Sequence, residues 1–244
     1  MEPGIAAQMV NVNKSFGPQR ILENVELKLH RGENLVVLGR SGMGKSVLIK
    51  CMVRLVEPDS GRVEVFGKNI LELDDAQLND TRRKIGFLFQ GGALYDSMTV
   101  RENLEFPLRR QKRGRAESEI ESIVMEALQG VGLEHTHHKM PSQLSGGMRK
   151  RISLARTLVL KPDIILYDEP TTGLDPATAH EISELIVKVQ EKYKTASIII
   201  THDAACARIT ANRLAWLHKG RLSHHGTIAD VKEGAPEFLL NFFK

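Results

Sequence analysis

Leu35-Val36-Val37-Leu38-Gly39-Arg40-Ser41-Gly42-Met43-Gly44-Lys45-Ser46 is the stretch on which the fold turns. Four apolar residues in a row, stopped by a glycine, predict a short buried strand. The eight residues from Gly39 fit the pattern G-x-x-x-x-G-K-[ST], and a helix is expected from Lys45 to about Leu55. In that strand, loop and helix setting the chemistry is that of a phosphate cradle. Glycines let backbone N–H groups close around phosphate oxygens, and the helix N-terminus adds a favourable dipole. Lys45 would reach the outer phosphates, and the Ser46 hydroxyl would bind magnesium. Such a loop, taken alone, says that a nucleoside triphosphate is bound and nothing of its use.

Two further stretches narrow that use. Ile164-Ile165-Leu166-Tyr167-Asp168-Glu169 is an apolar strand ending in two acids, stopped by Pro170 and followed by the turn Thr171-Thr172-Gly173-Leu174-Asp175-Pro176. A carboxylate closing an apolar strand can hold magnesium, which is the role expected of Asp168. Glu169 beside it is placed to polarise an attacking water as general base. The competing interpretation is two solvated acids at a strand end. Between loop and acids, Leu144-Ser145-Gly146-Gly147-Met148 precedes an expected helix from Arg149 to Leu160. Ser145 has the character of an N-cap, and the glycines permit close backbone approach. Such a helix start suits an anion, and an ordinary capped helix accounts for the same residues equally well.

Outward from these stretches, residues 5–30 predict two strands around Gly17-Pro18, and Val63–Phe66 and Ile85–Phe89 predict two more. Ile120, Ile123, Val124 and Ala127 recur at helical spacing within Ala116–Leu128. Apolar strands at Ile164–Leu166 and Ser197–Ile200 flank a helix near Ala179–Tyr193, and alternation returns at 213–217 and 221–223. Strands alternating with helices predict a mainly parallel sheet with covered faces. The helical run from about Gly92 to Arg156 reads as a second lobe inserted into it.

Composition removes several classes. The chain has 244 residues, 41% hydrophobic and 26% charged, ordinary for a soluble globular protein with a sizeable core. No apolar run approaches the roughly 20 residues that span a bilayer, and Met1-Glu2-Pro3-Gly4-Ile5 lacks the look of a signal peptide. A cytosolic protein is expected. Cys51 and Cys206 sit in apolar helical contexts and predict buried free thiols; without a Cys-x-x-Cys pair, zinc of that type is excluded. The net charge is +4 and the pI about 9.1, with the excess concentrated at 109–115. A solvated surface segment is favoured there over a polyanion site, and anionic lipid headgroups become relevant if the protein works at a membrane. His135, His137 and His138, like His224 and His225, lack partners at ligand spacing and read as solvated loops. Phe238-Leu239-Leu240-Asn241-Phe242-Phe243 would dock on its own domain or contact a partner.

In this order, the phosphate loop, the Ser-Gly-Gly signature, the acid pair, the Gly173-Leu174-Asp175 turn and Thr201-His202-Asp203 resemble the ATP-binding subunit of an ABC transporter over nearly the whole chain. The resemblance implies an α/β fold: a P-loop NTPase core with a mainly parallel sheet, an N-terminal antiparallel β subdomain and an inserted α-helical subdomain. Residues 1–90 and 157–244 would form the core with the β subdomain, and 91–156 the helical signature subdomain. ATP and magnesium are the implied cofactors. Phe16 would stack on adenine, and Gly39, Arg40, Ser41, Gly42, Met43, Gly44, Lys45, Ser46 and Val47 would hold the nucleotide. Ser46, Gln90 and Asp168 would hold magnesium. Lys45, Gln90, Glu169 and His202 would carry hydrolysis, with Gln90 sensing the metal and the attacking water and His202 contacting the γ-phosphate. The family's architecture further implies two subunits stacked head to tail. Ser145, Gly146 and Gly147 of one would close over ATP held by the other, with Asp175 at the dimer interface. The motif set occurs once here, so a second ATPase subunit, forming a homodimer, is implied. Met148 stands where the widespread signature has glutamine, and methionine has no donor for a polar contact.

A narrower resemblance follows from Phe87 to Val100, Glu102-Asn103, Phe106-Pro107-Leu108, Met148 and Gly44 to Lys50, which look like the ATPase of Mla/MCE-type lipid transporters. It implies phospholipid transport, a transmembrane permease partner, an MCE-domain lipid-binding protein, and a place on the cytoplasmic face of the inner membrane, with no nucleic acid. Leu94, Tyr95 and Met98 would offer an apolar groove to a permease helix, although core packing explains each taken singly. Other expectations are the ATPase of a different ABC transporter and, supported only by the basic pI, a soluble relative acting on nucleic acid or ribosomes. A nucleotide-gated scaffold is disfavoured because Gln90, Glu169 and His202 are all in place.

Overall fold

The structure, a computed structural model, describes residues 4–110 and 114–230. In chain order the elements are β1 (Ile5–Phe16), β2 (Gln19–His30), β3 (Asn34–Leu38), α1 (Lys45–Met52), β4 (Ser60–Val65), β5 (Lys68–Asn69), α2 (Asp75–Arg82), β6 (Ile85–Leu88), α3 (Val100–Arg109), α4 (Glu117–Gly130), α5 (Gly146–Leu158), β7 (Ile164–Asp168), α6 (Pro176–Tyr193), β8 (Ala196–Thr201), α7 (Ala204–Thr210), β9 (Arg213–His218) and β10 (Arg221–Gly226). Short 3-10 turns lie at Glu134–Thr136 and Pro141–Gln143.

The strands form two sheets. An antiparallel one runs β2-β1-β4-β5, and a six-stranded one runs β10-β9-β3-β8-β7-β6, parallel except for β10 against β9. The continuous apolar runs explain the second sheet: β3, β7 and β8 are buried at every position. Alternate residues serve two cores. Leu35, Val37, Leu166, Ile198 and Ile200 face the antiparallel sheet and α1. Val36, Leu38, Ile165, Tyr167 and Ile199 face the helices of the 100–158 stretch together with α6 and α7. Each such side chain removed from water contributes on the order of 2 kcal/mol. The expected α/β layout, with an antiparallel sheet and inserted helices, is the one present.

Helix boundaries shift where caps were overlooked. The sequence places a helix start at Arg149, but α5 begins at Gly146 because the Ser145 hydroxyl accepts from Met148 N at 3.2 Å. Likewise α6 begins at Pro176 instead of Ala179, since Asp175 caps it and proline at the first helical position costs no hydrogen bond. Helix α1 stops at Met52 short of Leu55: Arg54 turns left-handed at φ 53° and its guanidinium donates to Leu73 O at 2.9 Å. Helix α2, opened by a capping box at Asp74, has no counterpart in the sequence reading, and helix α7, capped by Asp203, is foreshadowed there only by the apolar helical context of Cys206.

What this architecture positions is a row of strand ends. Strands β3, β8, β7 and β6 are consecutive and parallel, so the residues after them emerge along one carboxyl edge, where open α/β sheets place their sites. Those residues are the phosphate loop, His202, Glu169 and Gln90.

Candidate functional site

Gly44 sets the geometry of the loop. Its φ is 92°, and a Cβ there would lie 2.6 Å from Ile21 Cγ2, so the loop closes against the β1–β2 hairpin only with glycine at this point. Lys45 follows, 5% exposed. Its ammonium donates to the carbonyls of Gly39 at 2.7 Å and Arg40 at 3.3 Å, and lies 3.0 Å from Glu169 Oε1. Ser46 Oγ donates to Asp168 Oδ1 at 2.9 Å.

The two acids are buried, at 5% for Asp168 and 7% for Glu169, which removes the interpretation of solvated strand-end acids. Burial pushes the Asp168 carboxyl up, opposed chiefly by the Ser46 hydroxyl. Glu169 stands in the left-handed region at φ 49°. Its Oε2 lies 2.8 Å from His202 Nδ1 and accepts from Thr172 Oγ1 at 3.3 Å. A buried carboxylate needs such partners, because an unpaired one would be driven to its neutral form. The His202 ring keeps 47% of its surface exposed, so it bridges the buried acid to the open side of the cleft. The Thr171 hydroxyl donates to Asp203 Oδ2 at 2.9 Å and ties the ends of β7 and β8 together.

Lys45, Glu169 and His202 are thus joined by polar contacts, and the Ser46–Asp168 pair lies beside them. The Ser46 hydroxyl and the Asp168 carboxylate are hard oxygen donors set side by side, a donor pair that suits magnesium. Gln90 follows β6; its side chain is exposed, while its carbonyl accepts from the Lys150 ammonium. Arg40, Ser41 and Gly42 are exposed on the loop, Met43 is half-buried, and Val47 packs on the core shared with the antiparallel sheet. Phe16, 51% exposed at the tip of the hairpin, carries Lys14 Nζ 5.2 Å from its ring centroid.

The Ser145 turn has different neighbours. Ser145 is exposed and caps its own helix. Gly147 is buried so closely that a Cβ would lie 2.4 Å from Thr178 Cγ2; at Gly146 the nearest atom, Leu174 Cδ2, is 3.4 Å away. Thr178 in turn donates to Asp175 through its amide at 3.0 Å and its hydroxyl at 2.6 Å, which holds the Asp175 carboxyl below its ordinary value. Met148 packs on the larger core, so its side chain acts as an apolar filler.

Two features go beyond the sequence reading, the second only in part. Lys150 is only 7% exposed, and burial lowers its pKa. The run Arg149-Lys150-Arg151 looks like a solvated face, but position 150 falls three residues after Gly147 and four before Leu154, on the buried side of α5. The second is a cleft of about 710 Å3 lined by Phe89, Tyr95, Phe106, Pro107, Leu160 and several arginines. Tyr95 was expected there; Leu94 and Met98 were too, and they are not among its lining. Asn103 is the reason. It is fully buried, accepts from Tyr95 N at 2.8 Å and donates to the carbonyls of Tyr95, Met98 and Thr99, which folds Leu94 onto the core and leaves Tyr95 outward.

The basic run is partly neutralised: Arg109 pairs with Glu105 at 3.0 Å and Glu117 at 2.7 Å, and Arg115 with Glu119 at 2.6 Å. Residues 111–113 and the apolar stretch 238–243 lie outside the described residues. No helix among the described residues is long and apolar enough to cross a membrane.

The pattern of the family described as ABC transporter matches residues 22–172. The chain is 42% identical over 226 residues to the protein named "Probable ribonucleotide transport ATP-binding protein mkl" of Mycobacterium leprae (strain TN), spanning 93% of this chain and 65% of that one. It is 39% identical to the glutamine transport ATP-binding protein GlnQ of Escherichia coli (strain K12), covering 96% of each. Among solved structures, the ATP-binding cassette MJ0796, a dimer in a post-hydrolysis state bound to ADP and Pi, superposes with a TM-score of 0.80 at 33% identity over 89% of this chain and 98% of that one. With these motifs on this fold, the chain, which spans just under two thirds of the length of the mkl relatives it matches, belongs to the ABC transporter family.

Proposed function

We propose that this chain powers a membrane transporter by hydrolysing ATP between two copies of itself, and that the cargo is a phospholipid or another lipid. The observation that carries the catalytic half is the contact of Glu169 with both Lys45 and His202, beside the Ser46–Asp168 pair. Glu169 takes a proton from the attacking water. Lys45, the amides of Gly39 to Val47 and His202 stabilise charge on the transferred phosphoryl group. Phe16 stacks on the adenine. Ser46, Asp168 and Gln90 would hold magnesium, which would neutralise phosphate charge. The core would comprise residues 1–90 and 157–244, with 91–156 as the helical signature subdomain.

The dimeric state of the MJ0796 cassette supports a head-to-tail pair. In it, Ser145, Gly146 and Gly147 reach the ATP of the other copy, with Asp175 at the interface. A permease helix would dock in the cleft beside Tyr95 and Phe106, with the protein on the cytoplasmic face of the membrane and an MCE-domain protein as further partner. The lipid reading rests on the likeness of residues 87–108 and Met148 to lipid-transport ATPases. The names of the relatives, probable ribonucleotide transport and glutamine transport, favour a second reading: an importer of small polar solutes.

Catalysis is tested with Glu169→Gln, which should bind ATP but lose hydrolysis by ~10²–10⁴-fold, the usual worth of a general base; undiminished turnover would sink the assignment. Cargo is tested by co-purifying the permease and analysing what travels with it. Bound phospholipid supports lipid transport. Solute-stimulated hydrolysis without lipid supports the importer.

A further inference from the structure

Lys150 is a buried cation to which the roles above give no task. It belongs to α5, the helix whose first turn is the Ser-Gly-Gly signature. Its ammonium donates to the main-chain carbonyl of Gln90 and lies 3.5 Å from that of Glu169. Those carbonyls follow two different strands, β6 and β7. One lysine thus joins three elements that carry the metal-sensing, water-activating and signature groups. A helix that needed only to pack would carry an apolar residue here, as it does at Ile152, Leu154 and Ala155. Burying an ammonium is costly unless acceptors and nearby acids offset it, and here two carbonyls and the charges of Asp168 and Glu169 do so. Six residues further along α5, Arg156 donates to the carbonyl of Ala93 at 2.7 Å, so the helix holds the segment after β6 at two points.

We propose that Lys150 is a positioning residue for hydrolysis: it pins the main chain of Gln90 to that of Glu169 and ties both to the signature helix. The proposal rests on the assignment of Glu169 as general base and adds the device that holds it in register with Gln90. Lys150 touches neither the phosphate loop nor Phe16, so its loss should alter turnover and not nucleotide affinity.

The test compares wild type, Lys150→Met, Lys150→Arg and Glu169→Gln as purified full-length chains, with kcat, KM, fluorescent-nucleotide affinity and thermal midpoint measured for each. Removing a charge-assisted hydrogen bond predicts a kcat of Lys150→Met lower by roughly tenfold to hundredfold. KM and nucleotide affinity should stay within about twofold of wild type, while Lys150→Arg, which keeps a cationic donor, should recover most of the rate. Wild-type kcat in Lys150→Met would overturn the proposal. So would an arginine variant no better than the methionine one, or losses of kcat and affinity that merely follow a fall in thermal midpoint. If Lys150→Met does not fold, Lys150→Gln, which retains a neutral donor, takes its place and should fall between Met and wild type. Full activity in Glu169→Gln would instead break the general-base reading, and the two failures are told apart in one assay.

Discussion

The two glycine-rich turns of this molecule each open a helix, the first through left-handed Gly44 and the second through the Ser145 side-chain cap, and end up in opposite circumstances. At Gly39–Ser46, the side chains that matter are joined within the chain: Lys45 to Glu169, Ser46 to Asp168, Glu169 to His202. At Leu144–Met148, the glycines lie against Leu174 of the turn after β7 and Thr178 in the first turn of α6, and Ser145 is left exposed on its own helix cap. The first turn is half of a site already closed around its own acids. The second is a rigid, capped surface with a polar tip. That difference teaches that related local devices, a glycine-rich turn before a helix N-terminus, are put to different use according to which elements surround them. The family resemblance leads us to propose the first for ATP held by this chain and the second for ATP held by another, and the contrast is compatible with that proposal.

The largest effect that sharpens this contrast is on nucleotide binding. Lys45→Ala should weaken ATP binding to the isolated chain by roughly ten- to hundredfold, because it removes the ammonium proposed to meet the outer phosphates, a charge-assisted contact worth about 1.5–3 kcal/mol. Ser145→Asn retains the cap, since asparagine is as good an N-cap as serine, and should leave monomer binding unchanged while slowing hydrolysis; titration with a fluorescent nucleotide separates the two. Equal weakening by both variants would break the contrast.

A smaller effect concerns packing. Gly147→Ala drives a methyl to within 2.4 Å of Thr178, whereas at Gly146 the nearest atom is 3.4 Å away. Overpacking of this kind costs about 1–3 kcal/mol, or a fall of roughly 2–10 °C in thermal midpoint for a chain of this size. Gly146→Ala should move the midpoint far less, and calorimetry on the pair decides whether the signature turn is as tightly seated as the distances say.

The smallest concerns the floor beneath the first region. Cys51 on α1 and Cys206 on α7 are both buried, and burial raises each thiol to about 11. At pH 8 the thiolate fraction is therefore small, and alkylation monitored by mass spectrometry should appear only as denaturant unfolds the protein. Rapid labelling of either in native protein would mean that the region opens more than its pairing implies.

How much of this was legible beforehand depended on whether one residue type carried one meaning. The apolar runs at Leu35–Leu38, Ile164–Leu166 and Ser197–Ile200 are unambiguous, and with them came the parallel sheet and every motif residue at its edge. Caps were less legible. Ser145 reads as a cap in the sequence, yet the helix is expected only from Arg149, three residues late, because Gly146 and Gly147 have poor helix propensity. Asp175 was read as an interface residue although it also caps α6. Helix α7 is short and shows no periodic apolar face, and its cap, Asp203, was read only as part of a motif. Lys150 was hidden by its neighbours, since a basic tripeptide resembles a solvated face until helical spacing is counted from Gly147. The cleft was legible only in Tyr95, because the buried Asn103 that turns Leu94 inward acts through main-chain carbonyls.

The claim at the centre of this account is that hydrolysis uses the phosphate loop of one copy and the Ser145 turn of another. Mixing two variants, Lys45→Ala and a Ser145 variant lacking hydrolysis, tests it directly. In a symmetric pair the mixed dimer contains one site in which both halves are defective and one in which both are intact. The account predicts that hydrolysis, absent in either variant alone, returns on mixing to roughly a quarter of the wild-type rate under random pairing. No recovery, with mixed dimers demonstrated by mass, would contradict it and place both turns in the same site of one chain.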